Sequence, residues 1–186
     1  MSAESYENHL DPADPRWFAI YTRFNCEKMA FHQLARKGIS VYLPLQKHTR
    51  RYTRKIRTVE LPLISCYLFV KIVKDQYVPV LETENVQGFV KFAQNLISIP
   101  DHEIDLMKRI LGENWEVQAE RTTFVAGDEV EIAVGNLLGM KGTLVEVKDD
   151  KPQVLVELER LGYTLRISVD KSILKKTGRV KLNSSH

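Results

Sequence analysis

The sequence predicts an α/β domain followed by a small all-β domain, and three observations carry that reading. In the first 112 residues, strand-like apolar runs alternate with amphipathic helical stretches. Beyond residue 123 the texture changes to short β-rich runs, EVEIA, KGTLVEVK, QVLVELE and YTLRISV, separated by Gly, Asp-Asp-Lys-Pro and Leu-Gly-Tyr. The formal net charge of +3 is also uneven, with −4 over residues 1–15, +8 over 16–112 and −1 over 113–186. The divisions drawn from this are a mobile tail (1–15), an α/β domain (16–112), a polar linker (113–123), a small β-barrel (124–175) and a basic tail (176–186).

RWFAIYT, Arg16–Thr22, has the aromatic and β-branched content of a buried strand. Asn25 is a candidate N-cap for a helix with Glu27 in its first turn, Met29 and Leu34 on its apolar face, and Gly38 as a left-handed stop. ISVYLPL, Ile39–Leu45, is a second strand, limited near its end by Pro44. In KHTRRYTRKIR, Lys47–Arg57, six of eleven residues are Lys or Arg and none is acidic. Lying between two strand-like runs, it predicts a hairpin arm rather than a helix. Cys66–Val73 is apolar almost throughout, as a central strand would be. A short helix fits Asp75–Glu84 and a short strand Gly88–Phe92. A last helix begins at Asp101, with Ile104, Met107, Ile110 and Leu111 on one face and Gly112 at its end. In the all-β half, Gly135, Gly139 and Gly142 permit sharp turns, from which Leu137, Leu138 and Met140 project.

The composition excludes several classes. No apolar stretch approaches the ~18–20 residues of a membrane span. No basic and apolar leader is visible at the N-terminus. Two cysteines, Cys26 and Cys66, are too few for a disulfide framework or a cysteine zinc site, and read as free thiols of a reducing cytosol. The five histidines stand at no metal-ligand spacing with them. P-loop, HExxH and GxSxG motifs are absent, so neither an enzyme nor a cofactor or metal is expected.

RWFAIYTRFNCEKMAFHQL, GISVYLPL, the basic hairpin and LPLISCYLFVKI, taken together, resemble the N-terminal (NGN) domain of the NusG family of transcription elongation factors. FVAGDEVEIAVGNLLGMKGTLVEV resembles that family's KOW domain, an SH3-like barrel. ISCY stands where the housekeeping factor usually has Phe-Pro-Gly-Tyr, which looks more like specialised paralogues such as the UpxY-type antiterminators. The resemblance implies a cytoplasmic, monomeric factor whose N-terminal domain docks on the RNA polymerase clamp through Trp17, Tyr21, Ile64, Tyr67 and Phe69, with Tyr67 foremost. It also puts Arg23 and Asn25 near the non-template DNA strand. The arm residues Lys47, Arg50, Arg51 and Arg54 suit that DNA or nascent RNA, and Tyr52 could stack on an unpaired base. Leu137, Leu138, Met140 and Leu161 would engage a second partner, such as a small-subunit ribosomal protein or Rho. The alternative is an RNA-binding protein of the translation machinery that shares only the KOW barrel.

Overall fold

The computed structural model describes residues 6–52, 55–92, 94–112, 116–121, 128–132, 141–148, 151–158, 163–169 and 174–179. The chain divides into two compact units, Met1–Asp105 and Leu106–His186. The sequence puts the change of domain at residues 113–123, whereas this division falls inside a helix.

In the first unit, β1 (Arg16–Thr22), β2 (Ser40–Tyr42), β5 (Tyr67–Ile72) and β6 (Val86–Phe89) form an antiparallel sheet in the order β2-β5-β1-β6. β1 and β5 are the inner strands, which is why RWFAIYT and YLFVKI lack the polar alternation of a half-exposed strand. Phe18 and Ile20 of β1, and Leu68, Val70 and Ile72 of β5, face one way. They form a single core with Ala30 and Leu34 of α1 (Glu27–Arg36). Side chains at the intervening positions of both strands occupy the opposite face.

α1 ends as predicted beside Gly38, at φ +73°, but begins differently. Asn25 takes a left-handed conformation, φ +58°, and Cys26 fills the N-cap position without a side-chain bond. Asn is one of the few residues for which that conformation costs little, so it serves as the turn and not as the cap. The basic segment is a hairpin, with β3 (Leu45–Tyr52) and β4 (Lys55–Pro62) in register from Leu45↔Pro62 to Tyr52↔Lys55. Among the described residues these two strands pair only with each other. A 3-10 turn at Lys74–Gln76 leads into α2 (Tyr77–Leu81). α3 (Asp101–Leu111) buries Ile104, Met107 and Ile110.

Residues 6–15 correct the expectation of a mobile tail, because they are tied down along their length. Asn8 bridges to Leu96, and the Leu96 N–H donates to the Glu7 carbonyl at 2.9 Å. Asp11 accepts the N–H groups of Ala13 and Asp14, both at 2.8 Å, and these two bonds hold its carboxyl below the usual carboxylate range.

The second unit contains one antiparallel sheet in the order β12-β8-β9-β10-β11-β7, from β7 (Glu116–Arg121), β8 (Asp128–Ile132), β9 (Lys141–Lys148), β10 (Lys151–Leu158), β11 (Tyr163–Ser168) and β12 (Leu174–Arg179). Two segments differ from expectation. Glu116–Arg121, placed in the linker, is a strand fully paired to β11, and the start of the basic tail belongs to β12. Gly142 sits within β9 and not at a turn. A Cβ there would meet the Leu155 carbonyl oxygen and Val154 Cγ1, each at 2.5 Å, so glycine is required by close approach to β10.

Candidate functional site

The sheet face opposite the core collects Trp17, Tyr21, Tyr42, Tyr67 and Phe69. The β1/β5 register sets Tyr21 opposite Tyr67, Ala19 opposite Phe69 and Trp17 opposite Lys71, while β2 adds Tyr42 opposite Phe69. Period-2 alternation accounts for this, since 17, 19 and 21 on β1 and 67, 69 and 71 on β5 share a face.

The two ends of this face differ. At the Trp17 end, Asp101 Oδ1 accepts the indole N–H at 2.9 Å and the Lys71 ammonium at 2.8 Å, and Lys71 also lies 5.9 Å from the Trp17 ring centre. The first residue of α3 therefore locks that end. In the middle, Phe69 is fully buried beside Tyr42, whose hydroxyl is pushed above the ordinary tyrosine range by burial. At the other end Tyr21 is 39% exposed and packs edge-on against Tyr67, with ring centres 4.9 Å apart. The Tyr67 hydroxyl donates to that of Tyr21 at 3.0 Å. On the far side of Tyr21 the register places Gly88, at φ +153°, so β6 presents no side chain there.

Of the five residues expected to contact polymerase, Trp17, Tyr21, Tyr67 and Phe69 share this face, whereas Ile64 lies in the bend before β5, and the five are unequally accessible. Trp17, Ile64, Tyr67 and Phe69 are buried, and Tyr21, which packs on Tyr67, is the reachable member. The ISCY turn fixes that pair. Cys66 has φ +65°, a conformation suited to the glycine of the housekeeping pattern. The Cys66 N–H donates to Glu27 Oε1 at 2.8 Å, and its carbonyl accepts the Thr22 N–H at 2.8 Å. Burial, the Glu27 charge and Cys26 push the Cys66 thiol above the usual thiol range. Glu27 is itself buried, a role that its place in the first helical turn does not disclose.

Arg23 and Asn25 are exposed in the turn between β1 and α1, where the Arg23 N–H donates to the Asn85 carbonyl at 2.9 Å. Between them stands Phe24, 71% exposed, and Met29 is exposed on α1. The sequence reading missed Phe24, although an aromatic flanked by Arg and Asn in a turn was a legible signal. Lys47 is exposed on β3; Arg50 and Arg51 follow on the same strand, opposite Arg57 and Ile56. Arg54, Leu137, Leu138, Met140 and Leu161 lie outside the described residues.

The family described as "Transcription termination factor nusG" matches residues 15–108, half of the chain. The chain belongs to the NusG family. Among solved structures, "Domain interaction in Thermotoga maritima NusG" is similar over 90% of this chain and 98% of that one, at 19% identity and a TM-score of 0.57, a likeness of fold. "MjSpt4:Spt5 complex" structures in conformations B and A align at 18% and 17% identity, covering 89% and 88% of this chain and 99% of each of those, with TM-scores of 0.31 and 0.28. A search of curated proteins finds no match. The α/β first unit is of the NusG N-terminal type, and the family's members are transcription factors rather than enzymes. No helix among the described residues is long and apolar enough to cross a membrane.

Proposed function

We propose that this NusG-family chain is a transcription elongation or antitermination factor of the specialised type, acting inside the cell. Its N-terminal domain binds the RNA polymerase clamp, its basic hairpin engages non-template DNA or nascent RNA, and its C-terminal domain, a KOW barrel, recruits a second protein. The observation that carries the reading is the Tyr21–Tyr67 pair, in which an exposed Tyr21 is held against a buried Tyr67 by a hydroxyl bond, with the Cys66 turn beneath. Aromatic anchors of this kind, supported by buried neighbours, are where interface energy concentrates. Phe24 and Arg23, next along the chain from the pair, extend the surface toward nucleic acid. The translation-factor alternative is not favoured, since the family match falls on the N-terminal half that a ribosomal KOW protein lacks.

The test is copurification of the full chain and its Tyr67→Ala variant with RNA polymerase. Retention of the parent and loss of the variant supports the reading. Equal retention of both counts against the aromatic edge.

A further inference from the structure

On the helical side of the same unit, away from the aromatic face, the N-terminal segment, the start of α2 and the turn after β6 enclose an open groove of about 470 Å3. Its floor is apolar, with Leu10, Leu96 and Tyr77. Tyr77 is stacked on Phe89, 4.6 Å between ring centres, and is thereby fixed in the wall. Lys74 and Lys91 line it from two different segments, and neither ammonium is held in an ion pair among the described residues. Glu7 also borders the groove, but its Oε1 is engaged by His9 Nε2 at 2.6 Å. Tyr6, 57% exposed, offers an unstacked ring at the edge. Asn8 Oδ1 accepts the Leu10 N–H at 3.0 Å, which leaves its amide nitrogen as a donor, and Gln94, held at φ +71°, adds a second amide.

We propose that this groove binds a nucleotide unit of single-stranded nucleic acid. The volume suits one base with its sugar and phosphate. Two uncommitted ammonium groups from separate segments match a phosphodiester, an exposed tyrosine gives a base a face to stack on, and side-chain amides match the polar edge of a base. An acidic peptide would use the lysines but leaves the ring and amides without a role. The site is separate from the hairpin arm and does not depend on the polymerase reading, so the failure of either leaves the other standing.

The experiment titrates the full-length, nitrogen-15-labelled chain with the octamers (dT)8 and (rU)8. The amides of Asn8, Lys74, Lys91 and Leu96 should shift, and the tighter of the two octamers identifies the sugar preferred. In parallel, fluorescence anisotropy with labelled octamers compares the parent with Tyr6→Ala and with the double variant Lys74→Gln/Lys91→Gln. Tyr6→Ala should weaken binding about fivefold or more through lost stacking. The double variant should flatten the slope of log K against log salt by about 1.4, two phosphate contacts at ~0.7 each. No residue of the arm lines the groove, so an Arg50→Ala/Arg51→Ala chain should retain the shifts there. Shifts confined to the arm, or unchanged affinity and slope in both groove variants, overturn the proposal. The same holds if a poly-glutamate peptide moves these amides and the octamers do not, which would make the groove a protein site.

Discussion

Glu27→Ala is a perturbation that touches no proposed contact yet should disturb the aromatic edge. The Glu27 carboxylate is 5% exposed and accepts the Cys66 N–H at 2.8 Å. A hydrogen bond to a charged group contributes about 1.5–3 kcal/mol, and an acidic residue in the first turn of a helix about 0.3–1 kcal/mol. Removing a buried charge recovers part of its desolvation cost, which brings the expected loss to about 2 kcal/mol. For a domain of this size that is a fall in Tm of roughly 8–16 °C. Glu27→Gln keeps an acceptor oxygen at the same place and should lose no more than about 1 kcal/mol. Thermal unfolding followed by circular dichroism on both variants is the assay. Polymerase binding by Glu27→Ala, measured well below its Tm, should weaken because the turn that aims Tyr67 is released. Two outcomes refute the reasoning: a Glu27→Ala chain within about 0.5 kcal/mol of the parent, or a Gln variant as damaged as the Ala variant.

Further outcomes follow from the same geometry. Tyr67→Ala should weaken polymerase binding by about 2 kcal/mol, roughly 30-fold, and Tyr67→Phe by much less, as measured by biolayer interferometry. Gly88→Val should destabilise by about 1–3 kcal/mol in denaturant titration through its backbone, since a Cβ there meets nothing within 4 Å. Alkylation of Cys66 by iodoacetamide at pH 8 should lag a free cysteine, because a raised thiol pKa leaves less thiolate below it. The rate should climb only as pH passes the ordinary thiol range, and Glu27→Gln should move the profile to lower pH. Replacing Arg50, Arg51 and Arg54 by Ala should flatten the salt slope of binding to an elongation-complex scaffold by about 2–3, and an unchanged slope would return the arm to solvent.

What could be read from the sequence was local. The inner strands, the end of α1 at Gly38 and the hairpin all follow from periodicity and punctuation within a dozen residues, but the stripe of α1 is Ala30 and Leu34, with Met29, expected on it, turned to solvent one position off that face. The misread parts depend on partners far along the chain. The two Asp-Pro steps signal turns, but the order of residues 6–15 comes from bonds such as Asn8 to Leu96 and the His9 ring to Ser98. EVQAER looks like linker until β11 supplies its ladder. At the candidate site, alternation places Trp17, Tyr21, Tyr67 and Phe69 on one face, yet it cannot say that Asp101 closes one end of it. Nor does a composition reading separate an Asn that caps from an Asn that turns, since both uses draw on the same short polar side chain.

The isolated hairpin has one more consequence. A two-stranded ribbon without a third strand is marginal in water. The register here pairs Lys47 with Glu60, but it also sets Arg50 opposite Arg57, and like charges at facing positions work against the ladder. A polyanion laid along such a ribbon would supply the missing counter-charge, so binding and ordering of the arm would be thermodynamically linked. Amide hydrogens of β3 and of Lys55–Leu61 in β4 should then exchange quickly in the free protein and slowly in the complex. The arm's affinity would be set by how much of that ordering the solvent conditions had already accomplished.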